Sequence, residues 1–545
     1  MKKNEICEIK ITGMTSEGNG VGRADDGMAV FIPLTAVGDV ISCKIVKVTK
    51  SCAFGIIDKI LVPSPDRCES CCGVSSKCGG CTFRHITYEA ELRIKQGIVR
   101  DAFERLGGFK YIDFEPIHGC TSPERYRNKA QYPVAEGKNG EAVCGFYANR
   151  SHRVISCDDC LLQPKIFGDI VQYIMEYVKK HHIKPYNEEQ HSGDLRHIFL
   201  RRGFHTGEIA VCLVVRRDMA AKLRPLAREL TDRYGDIKSV VMNINSRRTN
   251  VIMGDEMHLL DGKDTIEDIM CGNRITIHPH AFYQVNTAQA EALYAKAKEY
   301  AALTGTEDVL DLYCGSGTIG LSMADMARHI TGAEIVPASV ETAKINAQTN
   351  GITNADFICA DAGQAAKSLC DAGRTPDVIV IDPPRKGCDS LTLDSIIKMS
   401  PERVVMVSCN PATAARDAKY LFGNGYALRR AAAFDLFPRT GHVETVVLLS
   451  KLKSTHHIEV ELKTDELDLT SAESKATYDE IKAYVKKHSG LTVSSLNIAQ
   501  VKQKYGIIER ENYNKARSKY SRQPKCTKEK EEAIVGALKY FKMVK

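Results

Sequence analysis

Apolar positions change their spacing several times along this chain of 545 residues. Up to about residue 62, short β-rich runs follow one another: EICEIKITGM, AVFIP, DVISCKIVKV and AFGIIDKIL. The Gly-rich stretch Glu17-Gly18-Asn19-Gly20-Val21-Gly22 lies between the first two. Strands at this density predict a small β-barrel of OB-like size over residues 1–62. Such barrels often bind nucleic acid, although a generic barrel has the same pattern. Residues 68–287 mix helical stretches (YEAELRIKQGIVRDAFERLG) with strands (EIAVCLVVRR and IKSVVMNIN), an α+β region whose topology is not readable. From 288 to 453 the pattern becomes alternating helices and near-continuous apolar strands: VLDLYCGSG, HITGAEIV, ADFICADA, DVIVIDPP and RVVMVSCNP. Buried parallel strands look like this, so a Rossmann-like, doubly wound α/β domain is expected. YALRRAAAFDLFP and HVETVVLLSK are joined too closely for a helix and predict an antiparallel hairpin at the sheet edge. Residues 455–545 form a basic, mainly helical extension, with helices expected at 477–488, 528–541 and over SSLNIAQVKQKYG.

Composition narrows the class. With 43% hydrophobic and 26% charged residues and a mean hydropathy of −0.24, the chain reads as globular rather than disordered. No apolar run approaches the ~20 residues that cross a bilayer, so no membrane partner is expected. The opening MKKNEICEIKITG lacks the apolar core of a secretory signal. Twenty cysteines without an export signal imply a reducing, cytoplasmic location, where they mean metal binding or catalysis more often than disulfides. The net charge of +7 hides an asymmetry: residues 482–545 carry 16 Lys and Arg against 5 Asp and Glu. With Tyr505, Tyr513 and Tyr520 interleaved, that stretch suits a polyanion such as RNA. A solvated tail or a structural cap has the same composition. No feature calls for an obligatory protein partner.

The first strand of the α/β domain runs into Asp311-Leu312-Tyr313-Cys314-Gly315-Ser316-Gly317-Thr318, a turn that lets backbone approach a ligand at a helix start. Glu334 ends the second strand 19 residues after Gly315, close to the ~20-residue offset at which an acid meets a ribose hydroxyl pair. Asp361 ends the third strand at the level of an adenine. Gly320 completes G-x-G-x-x-G, so this turn alone admits a dinucleotide. Asp382-Pro383-Pro384-Arg385, at the fourth strand end, instead resembles the catalytic loop of adenosylmethionine-dependent methyltransferases that act on planar nitrogen rings.

Two further residues supply chemistry. Cys409 ends the fifth strand in Ser408-Cys409-Asn410-Pro411, where the following helix should lower its pKa. Glu444, in Phe437-Pro438-Arg439-Thr440-Gly441-His442-Val443-Glu444, enters an apolar strand where an acid is costly unless it works. A thiolate and a carboxylate are what methylation at carbon 5 of uracil requires. Thiolate attack at carbon 6 makes carbon 5 nucleophilic, and a base must then remove the carbon 5 proton. Cys409 is the candidate nucleophile and Glu444 the candidate base.

DLYCGSG, DPPR, SCNPAT and FPRTGHVE, in this order, resemble the RNA uracil-5-methyltransferase family over about residues 1–452, and the N-terminal barrel is similar to its TRAM domain. The resemblance implies adenosylmethionine contacts at Gln284 (in Phe282-Tyr283-Gln284-Val285-Asn286), Tyr313, Glu334 and Asp382. Asp382 and Arg385 would also border a flipped base. Thr318 and Asp361 are weaker contacts, and His442 shapes the loop before the base.

Cys68, Cys71, Cys72, Cys78 and Cys81 crowd one segment, with Cys157 and Cys160 further on. Their spacing fits either a paired-cysteine zinc site or a four-cysteine iron–sulfur cluster. The pattern Cys72-x5-Cys78-x2-Cys81 with a distant fourth cysteine resembles that of the family's ribosomal-RNA branch, which implies a [4Fe-4S] cluster on Cys72, Cys78, Cys81 and Cys160. Cys157 competes for the fourth position, and Cys68 and Cys71 are left without a role. That branch implies 23S ribosomal RNA as substrate. The same chemistry on tRNA is the nearest alternative. An adenine N6-methyltransferase has no use for Cys409 or Glu444, and a non-catalytic iron–sulfur RNA-binding protein would lack them.

Overall fold

The computed structural model describes residues 1–137, 139–452, 478–505, 526–541 and 544. The predicted barrel is closed by five strands in the spatial order Ile6–Met14, Asn19–Arg23, Ala29–Pro33, Cys52–Val62, Val40–Val48. Side chains alternate in and out, so Ile9, Ile11, Val30, Ile32, Ile41 and Ile45 fill the interior. Closure leaves no free sheet edge.

The α/β domain has an eight-stranded sheet. Its five parallel strands run in the spatial order Ala355–Cys359, His329–Glu334, Asp308–Leu312, Val378–Ile381, Arg403–Ser408. The order reverses beside Asp308–Leu312, where doubly wound sheets open a ligand crevice at the strands' carboxyl ends. Glu444–Lys451 then pairs antiparallel with Arg403–Ser408, and Tyr426–Phe434 with Glu444–Lys451, as the short connection predicted.

The chain does not respect a division at 287. Helix Tyr88–Asp101 and the π-helical turn Ala102–Gly107 send Val99, Ala102 and Phe103 into the core of the α/β domain. Asp113–Phe114 then adds a strand to the far edge of its sheet. Apolar periodicity announces a helix but not the sheet that it covers. What remains between is a seven-stranded sheet in the order Glu256–Gly262, Ile237–Ile244, Ile209–Val215, Leu195–Arg202, Lys129–Glu136, Ala142–Tyr147, Val154–Ser156. Helices Lys165–Lys180 and Ala220–Arg233 pack on it, and a ribbon of Ile266–Met270 and Asn273–Ile277 follows.

Residues 1–453 form one compact unit and 454–545 another. In the second, helices Tyr478–Ser489, Ser495–Lys504 and Lys528–Tyr540 enclose Ile481, Val485, Ile498, Val501, Ile534 and Leu538. Ser494 and Asn497 form a capping box at the start of the middle helix. Tyr505 is exposed at that helix's end, while Tyr513 and Tyr520 lie outside the described residues. Among the described residues no helix is long and apolar enough to cross a membrane.

Candidate active site

The crevice is built on a turn that few side chains tolerate. After Leu312 the backbone enters left-handed geometry at Tyr313 (φ 66°), Gly315 (φ 56°) and Gly317 (φ 81°). A Cβ on Gly317 would lie 3.1–3.2 Å from Phe357, Ala343 and Leu321, whereas nothing stands within 4 Å of the side-chain position of Gly315. The space above the turn is therefore open to a ligand. Glu334 is held at its rim, accepting from the backbone N–H groups of Gly315 (3.2 Å) and Val336 (2.8 Å). Gln284 and Thr318 share the hydroxyl of Tyr294, and the Gln284 carbonyl accepts from Asn128 Nδ2 at 2.8 Å. Tyr313 reaches the Thr392 hydroxyl at 3.4 Å. Asp361 instead caps the helix Ala362–Asp371, accepting from Gly363 and Gln364.

Sequence reasoning missed Asp311. It lies buried beneath the turn, with Oδ2 accepting from Gly320 N at 2.9 Å and Oδ1 unpartnered; burial pushes its carboxyl up to about 7. An acid within the apolar run VLDL was the available signal.

Across the crevice, Cys409 sits between strand Arg403–Ser408 and helix Pro411–Phe422. Asn410 caps that helix through Ala412 N, and its Nδ2 donates to the Arg385 carbonyl at 3.0 Å, tying the thiol's turn to the DPPR loop. The Arg385 guanidinium lies 3.3 Å from His442 Nε2. Glu444 is 6% exposed at the start of its strand. Burial, reinforced by the Asp382 carboxylate and opposed by Arg385, pushes it up to about 8. Burial alone raises Asp382 to about 6. Cys409 is raised to about 11, chiefly by burial and then by Glu444 and Asp382. That corrects the expectation of a helix-lowered thiol: two nearby acids and desolvation outweigh the helix start. The strand ends thus gather a thiol, two carboxyls of raised proton affinity and the Arg385 guanidinium.

The cysteine segment is an irregular loop held by backbone bonds. Cys78 N donates to Val74 O, and Gly79 N to Tyr147 O. Beyond burial, Cys160 and Cys72 raise Cys78, Cys160 and Cys78 raise Cys81, and Cys160, Cys72 and Cys78 raise Cys157, so these side chains lie near one another. The Cys157 thiol bonds to Cys160, which lowers Cys160 and raises Cys157. Arg84 lies against Cys81 and pairs with Glu124 at 2.8 Å. Cys68 and Cys71 are exposed. Among the described residues, no three His, Cys, Asp or Glu side chains converge tightly enough to hold a single ion.

A cationic group beside the crevice was also missed. Lys129 and Arg201 are directly opposed on neighbouring antiparallel strands, an arrangement that ordinarily destabilises a sheet. Burial, with Arg201 and Arg127, lowers Lys129 to about 8. Arg127 in turn lowers His442, after burial and the cations Arg385 and Lys95. The cue in the sequence was Arg127-Asn128-Lys129 entering a strand.

Residues 87–452 match the family described as tRNA (Uracil-5-)-methyltransferase, and residues 2–57 match the TRAM domain. An uncharacterized RNA methyltransferase of Halalkalibacterium halodurans is 42% identical over 82% of this chain and 98% of its own length. Another, from Clostridium tetani, is 40% identical over 83% and 97%. Among solved structures, the Pyrococcus abyssi tRNA (uracil-54, C5)-methyltransferase in complex with S-adenosyl-L-homocysteine aligns with a TM-score of 0.65 and 26% identity. It covers 81% of this chain and 99% of its own.

Proposed function

Because this chain belongs to the tRNA (uracil-5-)-methyltransferase family, we propose that Cys409 and Glu444 methylate carbon 5 of a uridine in structured RNA. The observation that carries this reading is the grouping of Cys409, Glu444, Asp382 and Arg385, in which Asp382 and Arg385 act on the proton affinity of both Cys409 and Glu444, and Glu444 on that of Cys409. Adenosylmethionine, when bound, supplies an electrophilic methyl group. The residues that would hold it are Gln284, Tyr313, Glu334 and Asp382, and the open space over Gly315 fits such a ligand.

Cys409, a thiol at rest because burial raises it to about 11, gives its proton to solvent; the thiolate adds to carbon 6 of uracil, forming an S–C bond and sending the ring electrons to oxygen 4 as an enolate. Carbon 5 of that adduct is then the nucleophile for the methyl group. Ionised Glu444 removes the carbon 5 proton, the 5,6 double bond re-forms, and the S–C bond breaks to release thiolate. Arg385 stabilises negative charge beside both groups. The target base must leave its stack to reach Cys409. Arg127 and Lys129, cations without a carboxylate partner among the described residues, suit the phosphates that flank it.

For the cysteine loop we propose a [4Fe-4S] cluster on Cys72, Cys78, Cys81 and Cys160. What supports this reading is the gathering of thiols from two chain segments, Cys78 and Cys81 each lying close enough to Cys160 to be raised by it. Cys157 and Cys160 share a hydrogen bond, and Cys160 is the one that reaches both Cys78 and Cys81. Arg84 beside Cys81 offsets thiolate charge. Protein purified anaerobically should absorb broadly in the visible and contain iron; colourless protein with one zinc would overturn the assignment.

The substrate we propose is 23S ribosomal RNA, on the strength of the barrel joined to this cysteine set. The Pyrococcus abyssi structure favours a second reading, because a tRNA enzyme aligns over 81% of this chain. RNA from cells lacking the gene, incubated with the protein and labelled adenosylmethionine, separates the two. Label in 5-methyluridine of large-subunit RNA supports the first reading, and label confined to tRNA the second. No 5-methyluridine in either, with an intact cysteine site, refutes both.

A further inference from the structure

Glu444 has no hydrogen-bonding partner for its carboxylate among the described residues. Its position is set by the backbone that delivers it, the loop from Asp435 to Val443. That loop is gripped from four directions. The carbonyl of Leu436 accepts from Asn286 Nδ2 (3.2 Å), that of Phe437 from Lys95 Nζ (3.1 Å) and that of Pro438 from the Tyr126 hydroxyl (3.0 Å). Arg439 O takes the N–H groups of Thr82 (2.7 Å) and Phe83 (3.1 Å), which directly follow Cys81. Arg439 itself is held at φ 68°, a left-handed conformation that a non-glycine residue keeps only when its surroundings impose it.

At the centre is an ionic group closed to solvent. Lys95 Nζ contacts Asp435 Oδ1 at 2.6 Å and Glu91 Oε1 at 2.8 Å, and all three side chains are 0% exposed. Tyr88 donates to Asp435 Oδ2 at 2.8 Å. Glu91 Oε1 accepts from Arg439 N at 2.7 Å, and the Arg439 guanidinium lies 3.6 Å from Glu91 Oε2. Two cations answer two anions. Apolar residues of similar size would hold a helix to a loop at least as firmly, so buried ion pairs are weak as stabilisers. What these charges add is direction: they fix which carbonyl faces which donor, and therefore where Glu444 starts.

We propose that Lys95, locked by Glu91 and Asp435, is a positioning residue for the base, acting on proton removal through the loop Asp435–Val443. This rests on the roles given above to Cys409 and Glu444. Misplacing a reacting group by about 1 Å can cost on the order of 100-fold. Methyl transfer needs only Cys409 and the cofactor side, neither of which Lys95 touches, so the defect should fall on the later step.

The experiment compares wild type and Lys95→Met on 5-tritiated uridine RNA, following tritium release, a denaturant-stable RNA–protein adduct and adenosylmethionine binding. Expected for Lys95→Met is turnover down by roughly 30-fold, an unchanged KM for RNA, intact adenosylmethionine binding and an accumulating adduct. Turnover within twofold of wild type, or adduct lost in step with turnover, overturns the proposal. Should Lys95→Met fail to fold, Asp435→Asn decides: it keeps the shape and the Tyr88 contact, and should slow tritium release about fivefold with adduct accumulating. Wild-type rates in that variant overturn it equally. 5-Fluorouracil RNA on the wild type and Cys409→Ala provides the separating control. If wild type forms no adduct there, the mechanism itself fails; if it does while the loop variants behave as wild type, only the role of Lys95 fails.

Discussion

Two buried clusters of charge lie in succession along the catalytic loop, and they are built on opposite terms. Around Lys95 every ion has a counter-ion within 3.6 Å and a place in a hydrogen-bond pattern. Around Glu444 the acids Glu444 and Asp382 stand beside a thiol, with Arg385 the cation that opposes them. Burial raises both Glu91 and Glu444 above the ordinary carboxylate range, Glu444 to about 8. The difference lies in the neighbours. Lys95 and Arg439 pull Glu91 back toward ionisation, while Glu444 keeps a proton well into the neutral range. Paired buried charge fixes geometry, and unpaired buried charge tunes proton affinity.

The contrast can be broken most severely in the unpaired cluster. Cys409→Ala should abolish turnover while adenosylmethionine binding, followed by calorimetry, stays within about twofold, because no bond to substrate can form. Glu444→Gln should lower turnover by roughly 10²–10⁴-fold yet leave attack intact, so a covalent RNA–protein band accumulates on a denaturing gel. In wild type, turnover should rise with pH through about 8, as Glu444 loses its proton, and go on rising toward about 11, as the Cys409 thiol does.

Glu444 also carries a stability signature of defined sign. Its folded pKa is raised, so its stabilising contribution is present below the unfolded value and is lost as pH rises through about 8. The melting temperature of Glu444→Gln relative to wild type should therefore be higher at pH 9 than at pH 5, by about 3 °C or more. The smallest effect is expected at the cations beside the crevice. Lys129→Ala should weaken RNA binding about tenfold and reduce the salt slope by about one phosphate contact, with adenosylmethionine binding unmoved.

What the sequence revealed follows the range of its signals. Barrel, parallel strands and edge hairpin were legible because burial imposes a local period of apolar residues. Tyr313, Glu334, Asp382, Cys409 and Glu444 could be nominated as site residues because each sits in a short motif at an end of a strand, and Gln284 because its motif leads into the helix Thr287–Ala301. Lys95 was not, since its partners Asp435 and Phe437 lie about 340 residues away and an exposed Lys in a helix reads identically. Asp311 could be seen as an acid in an apolar run, but not as lying under the cofactor turn. The raised Cys409 thiol depends on Glu444 and Asp382, which reach it only through the folded sheet. Helix Tyr88–Asp101 was recognised, yet its membership in the α/β core depends on contacts that no local period encodes.

Gly441 lies where a Cβ would come within 2.6 Å of the Ser16 carbonyl, in the first turn of the barrel. The barrel's backbone thus occupies the space that a side chain on the catalytic loop would need. Barrel and methyltransferase domain are consequently not interchangeable parts. An engineer who swapped in a foreign barrel would have to carry over the turn at Ser16, or else reshape the loop that leads into Glu444.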